Sequence, residues 1–424
     1  MRGKVIAKLV LDGGTYTYGT DTTNRLWRVS HSETPWAQTA KVLIDNSNKV
    51  LDSLSLEGLS GVISYGYNTS AGDEYSATAP LRVKGQELIS SGATLQCLLD
   101  LYGIPDQLDD DHASTSFSME SGDTRTVKTL ISAILAASLA PYSHCAAVTV
   151  AYDSEDSLID TFKPADYFRI SKRKTRLSCL KELLSYTKCV MRAEDDGEVH
   201  IFSPTVSGVS YGYEYKNAID AANHTFFSKV NRTRLVLPNK ITVRSEDDHS
   251  PPYTGSATDA ASYALLPKED FPTMRLTSNA QATAIAEAMI QKLQVDHEKG
   301  NGFAPMNVGQ EVYDYINITD SRAGDSRAGN IGYLTRTFDI NNRNYPWTIA
   351  FGFGDIYLAG AAGLITPSGA GSTTTTTPRY ATYEDLREIY SILNENIEQI
   401  YAYLNKAVVP KWHVTRDMGI PLLD

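Results

Sequence analysis

The catalytic-looking spacing nearest to a known pattern is "GVSYG" (Gly208 to Gly212), which satisfies G-x-S-x-G with Ser210 at its centre. That pattern makes a nucleophile only on a strand-to-helix elbow, with an acid and a histidine supplied by later strand ends. Here Pro204 comes shortly before it, and "SPTVSGVSYGYEYK" reads as a loop entering a strand. Asp220 and His224 follow too closely to come from separate strand ends. Ser210 is therefore expected to carry no acyl-transfer chemistry.

Metal chemistry has no better foothold. The eight histidines (His31, His112, His144, His200, His224, His249, His297 and His413) include no H-E-x-x-H and no other i, i+4 pair. Cys97, Cys145, Cys179 and Cys189 form no C-x2-C pair, so no zinc site is expected. The acidic triplet Asp109 to Asp111 lacks the alternating ligands of a calcium loop. Glu194, Asp195 and Asp196 fall in a turn, where solvated charge is the expected use. No Gly-rich phosphate cradle opens a helix. Paired glycosidase carboxylates leave no local signature, but nothing in the chain asks for them. The expectation is a protein without catalytic residues, cofactor or metal.

The elements must then carry the reading. The chain has 424 residues and a net charge of -11, which argues against a phosphate-backbone binder. The one basic run, "SKRKTR" (Ser171 to Arg176), reads as a solvated loop before a helix. Hydrophobic content of 42% and charged content of 21% suit sizeable cores. The start "MRGKVIAKLVLDGG" reads as a strand and not a signal peptide. The longest apolar run, Leu130 to Tyr142, is short of the ~20 residues a bilayer span needs. A soluble protein is expected, and a reducing site of synthesis fits without being required. Tyrosine exceeds phenylalanine, 25 to 11, which suits strand surfaces and interfaces.

Through the first hundred residues, short β-branched and aromatic runs such as "KVIAKLVL", "AKVLID" and "GVISYGY" are separated by Gly, Asn, Asp and Ser clusters. That spacing predicts an antiparallel barrel or sandwich, closed by a helix over "TLQCLLDLYG" and a linker "IPDQLDDDHASTS". Beyond residue 120 the period turns helical. Val127, Ile131, Ile134 and Leu135 share one face, and Leu177, Leu180, Leu183 and Leu184 share another behind Thr175 as N-cap. A hairpin should follow at Asp196-Gly197. Strand patterns return over 230–358, interrupted by a helix about 278–297 with Ser278 as its cap. The repeated "DSRAG" (Asp320 to Gly324, then Asp325 to Gly329) should lengthen a hairpin tip.

The segments are thus a first β-barrel-like domain 1–106, an α+β domain 107–229, and a second β-barrel-like domain 230–358. A Gly/Thr-rich linker 359–380 and a C-terminal segment 381–424 complete the chain. The fold class is β-rich α+β. In the last segment Tyr383, Leu386, Tyr390, Leu393, Ile397, Ile400, Leu404 and Ala407 alternate spacings of three and four. This heptad, 383–407, specifies a seam for other helices rather than a broad face for a globule. Ile389, Tyr401 and Tyr403 widen it, favouring three or more strands. Self-association, folding back on its own barrel, and docking to a different protein all remain open uses.

The run "FKPADYFRISKRKTRLSCLKELLSYTKCVMRAEDDGEVHIFSP" resembles the hub and tail-tip proteins of tailed bacteriophages and contractile injection systems. So do the later "LPNKITVRS", "NAQATAIAEAMIQKL", "PMNVGQEVYDYINITDS" and "GNIGYLTRTFDI" in that order, and the early "AKVLIDNSNKVLDSLSLEGLSGVISYGY". The resemblance spans roughly residues 1 to 355 and rests on order and pattern. It implies a structural homotrimer at the distal end of a virion tail, assembled after synthesis in the host cytoplasm. Expected partners are itself, a tail tube or distal ring protein, and a tip, spike or fibre protein. Viral DNA would be met only in passage, and the host cell surface is a further contact. Alternative readings are a β-rich surface or carbohydrate-binding protein, and a hub with cell-wall-degrading activity.

Overall fold

In a computed structural model of the chain, the described residues are 4–354, without 21–24, 93, 218–222, 247–249 and 343–344. The linker and the heptad residues from Tyr383 to Ala407 lie outside them.

Period-two alternation builds eight strands in the first hundred residues: β1 (Lys4–Leu11), β2 (Tyr16–Gly19), β3 (Leu26–Thr34), β4 (Ala37–Asp45), β5 (Ser60–Thr69), β6 (Gly72–Ala77), β7 (Leu81–Ser90) and β8 (Leu95–Gly103). Ala7, Leu9 and Leu11 of β1 point inward, as do Ala40, Val42 and Ile44 of β4. The stretch expected as a closing helix is instead β8, hydrogen-bonded on both edges to β4 and β7. Its leucines satisfy helical spacing, but Cys97, Leu99 and Leu101 alternate into the core, and two flanking ladders satisfy its backbone. The segment expected as a linker holds α1 (Ile104–Asp110), with Pro105 in its first turn.

The middle of the chain folds around a second core. It contains β9 (Phe117–Ser118), α2 (Val127–Leu135), β10 (Val150–Asp153), α3 (Leu158–Thr161), β11 (Arg169–Ile170), α4 (Arg176–Ser185), β12 (Val190–Ala193) and β13 (Val199–Phe202). Thr126 and Thr175 cap α2 and α4 by accepting from the backbone N–H three residues on. The β12–β13 hairpin turns at Asp196-Gly197, where Gly197 has φ of 84°.

Next come β14 (Tyr213–Lys216), β15 (His224–Thr225), β16 (Ser228–Thr233), β17 (Lys240–Ser245), β18 (Thr254–Thr258), α5 (Ala260–Leu265), β19 (Glu269–Asp270), β20 (Thr273–Met274) and α6 (Asn279–Val295). The last strands are β21 (Glu298–Pro305), β22 (Tyr315–Asp320), β23 (Asp325–Asp339) and β24 (Trp347–Phe353). Ser278 caps α6 by accepting from Gln281 N–H. The first "DSRAG" copy makes the β22–β23 tip, with Asp320 paired to Asp325, and the second copy opens β23.

Two barrels flanking an α+β unit is not how these strands divide. Strand β23 pairs with β3 from Leu334↔Glu33 to Asp339↔Arg28, so the N-terminal strands and β21–β24 share one 15-stranded sheet and one core. No sheet closes on itself among the described residues. Strands β17–β20 make a separate four-stranded sheet, and with α6 they join the second core beside α2 and α4. The segment 230–358 is therefore shared between two cores. A strand pattern states which face is buried, not against which partner. No helix among the described residues is long and apolar enough to cross a membrane.

Candidate functional site

Among the described residues singled out for chemistry, Asp196 and Glu194 are brought to His200. Ser210 sits exposed in the loop that enters β14, as its flanks suggest. The described histidines occupy separate settings. His31 is fully buried on β3, and His224 is edge-on to Tyr213 with centroids 5.7 Å apart. His112 Nδ1 lies 2.7 Å from the Asp110 carbonyl.

His200, on β13, gathers acids. Its Nδ1 is 2.5 Å from Asp153 and its Nε2 is 3.0 Å from Asp196. Asp196, Glu198 and His200 each offer a ligand atom within 4.8 Å of the others, a donor set that suits a divalent cation. Burial pulls the imidazole down, but the two carboxylate hydrogen bonds outweigh it and raise its pKa. That favours the cationic ring, whereas metal ligation needs the neutral one. The hairpin is better described as an ion-pair cluster.

The densest polar construction lies where the two cores meet. Along β23 Leu334, Arg336 and Phe338 share the buried face, which drives a guanidinium into the interior. Arg336 donates to Glu33 of β3 and to the carbonyl of Gln310, at 2.5 Å from the latter. Burial alone would push Glu33 up; Arg336 and His31 hold its carboxyl below the ordinary range. His31, facing Glu33 at 3.4 Å, is pulled down to about 4 by burial, with Glu33 opposing and Arg336 assisting.

A second guanidinium approaches from the other core. Arg192 of β12 bonds Glu194 at 2.6 Å and Glu311 at 2.8 Å through Nη2. Through Nη1 it reaches the Val312 carbonyl at 3.0 Å and Asp314 at 3.4 Å. Its plane lies over the Phe202 ring, 5.0 Å from the centroid. The segment 308–314 is thus gripped from two sides by arginines of different elements. Sequence reading missed this junction. The available signal was a charged residue in phase with buried Leu334 and Phe338, seen only once the strand face is fixed.

The surface offers apolar material too. Phe227, Phe303 and Tyr345 form an aromatic trio with centroid separations of 5.4, 5.0 and 5.9 Å. They adjoin β16, which pairs only with β21 among the described residues and carries exposed Val230. Leu265 and Phe271 are 75% and 62% exposed.

No protein-family model and no curated protein matches the sequence. Solved structures do match. The tail protein from Neisseria meningitidis MC58 superposes with a TM-score of 0.58 at 11% identity, covering 84% of this chain and 99% of that one. The 43 kDa tail protein of prophage MuSo2 from Shewanella oneidensis superposes with a TM-score of 0.52 at 11% identity, covering 82% and 98%. This chain has the fold of those tail proteins, in agreement with the resemblance drawn from its sequence.

Proposed function

We propose that the chain is a structural protein of a phage tail, acting as a trimeric hub at the distal end of the tail tube. The observation that carries this reading is the shared fold, which spans nearly the whole of two tail proteins and most of this chain. In this reading the hub joins the tube or a distal ring protein to a tip, spike or fibre protein. Its oligomeric ring forms part of the conduit through which DNA passes. The work is mechanical and not catalytic.

Two features support assembly with identical copies. Edge strands β6 and β16 each have one neighbour among the described residues, and an open edge is a template for another chain. The heptad of Tyr383, Leu386, Tyr390, Leu393, Ile397, Ile400, Leu404 and Ala407 has the period of a multi-stranded seam. Light scattering on the full chain at micromolar concentration tests the proposal, with a mass near three chains expected. A monomer refutes the trimeric hub. Labelling intact virions with an antibody to this chain should mark the distal tail in electron micrographs; label elsewhere on the particle refutes the placement.

A further inference from the structure

One place where the two cores meet is a short polar segment, Glu311 to Asp314, which precedes β22 and lies against β12, whose Val190 also reaches the large sheet's core. Val312 and Tyr313 belong to the large sheet's core, while the hairpin that carries Arg192 contributes Met191, Val199 and Ile201 to the other. Three carboxylates converge on this one guanidinium: Glu194 from the hairpin, and Glu311 and Asp314 from the segment. Arg336 is nearby but committed to Glu33 and to the Gln310 carbonyl. His200 faces Glu194 at 3.8 Å and is itself held by Asp153 and Asp196. With all three acids ionised, one guanidinium answers three carboxylates at a partly buried site.

We propose that this junction is a proton-operated latch, in which Glu311 carrying a proton lets Arg192 hold the segment and Glu311 losing it loosens the contact between the two cores.

The hydrogen bonds single out Glu311. Glu194 accepts from both Nε and Nη2 of Arg192, at 3.1 and 2.6 Å. Asp314 accepts the Glu311 backbone N–H at 2.7 Å and also faces Arg192. Glu311 has one contact, so it gains least by staying ionised. Burial first, then the neighbouring carboxylates of Asp314, Glu194 and Glu33, raise its carboxyl to about 7, with Arg192 opposing. The segment also has somewhere to go. Tyr313, a buried aromatic, is held at φ of 73°, a left-handed conformation that persists only where its surroundings impose it. For an acid whose folded pKa is raised, the proton favours the folded contact. The latch is tightest below the ordinary glutamate range and weakens as pH rises through about 7.

Hydrogen–deuterium exchange of the full chain at pH 6 and pH 8, corrected for intrinsic rates, tests this. Peptides covering 308–316 and 190–202 should lose protection together, by about three- to fivefold. That is less than the roughly tenfold full linkage allows between these pH values, because Glu311 is about a third exposed. Peptides of β3 and β4 should not change. Glu311→Gln should abolish the dependence and keep the protection seen at pH 6. Arg192→Lys, which loses the planar fork, should open both peptides at both pH values. Wild-type pH dependence persisting in Glu311→Gln, exchange unaltered in Arg192→Lys, or the segment opening without the hairpin would each overturn the latch.

Discussion

Arg176 gives the sharpest test of how the second core is held. Its guanidinium is 1% exposed and has four acceptors. Nη1 bonds Asp111 at 2.6 Å and the Ala146 carbonyl at 2.8 Å; Nη2 bonds the carbonyls of Ile134 and Leu135 at 2.8 and 2.6 Å. The last two belong to the C-terminal turn of α2, whose carbonyls have no partner within the helix. Arg176→Met keeps the stem and removes the fork, taking the donor from the Ala146 carbonyl and leaving the Ile134 and Leu135 carbonyls with only the backbone N–H groups of Ala137 and Val148. With one carbonyl bared, two keeping a single donor, and little for Asp111 because it is partly exposed, the loss should be about 2–3 kcal/mol. Urea unfolding followed by far-UV circular dichroism and tyrosine fluorescence would measure it, provided the slope is unchanged. Arg176→Lys should recover less than half, since one ammonium cannot reach four acceptors in a plane. Asp111→Asn should cost about 1 kcal/mol or less. A loss below 1 kcal/mol in Arg176→Met, or one matched by Asp111→Asn, would refute the assignment to the helix carbonyls.

Three further outcomes follow from named contacts. His31 is buried and neutral with its pKa lowered to about 4, so its contribution is full above pH 6.5 and is lost as pH falls towards 4. That amounts to up to about 3 kcal/mol, and urea midpoints at pH 7 and 4.5 should draw closer together in His31→Gln than in wild type. A Cβ added at Gly255 would lie 2.2 Å from the Thr283 backbone nitrogen, so Gly255→Ala should push α6 off β18 and cost about 2–3 kcal/mol in the same assay. Replacing Leu393 and Ile397 by Asp should lower the mass read by light scattering if the heptad drives association; an unchanged mass would assign association to the globular part.

Local signals were legible where the chain answers to its own neighbours in sequence. Thr175 and Ser278 each stand ahead of an apolar period, where a cap belongs, and each accepts the expected backbone N–H. Asp196-Gly197 and the first "DSRAG" make a turn and a tip for the same local reason. The reading failed where a distant partner outvotes local preference. Leu95, Leu98, Leu99 and Leu101 have helical spacing, yet β4 and β7 claim both edges of that run. In the basic run, Lys172 and Arg173 are solvated as expected, while Arg176 turns inward because α2 ends beside it. The seam proposed for residues 383–407 rests on its period alone.

The β-rich α+β class, the helix caps, the hairpin turns and the tail-protein resemblance were all present in the order of residue types. Those properties depend on alternation, capping hydroxyls and turn glycines, which act over a few residues. Only the tertiary structure decided that β3 and β23, some three hundred residues apart, share a ladder, and that the segment 230–358 divides between two cores. It alone set Arg336 against Glu33 and Arg192 against Glu311. The physical reason is that periodicity names the face to be buried, whereas the partner is chosen by a competition among all surfaces of the chain at once.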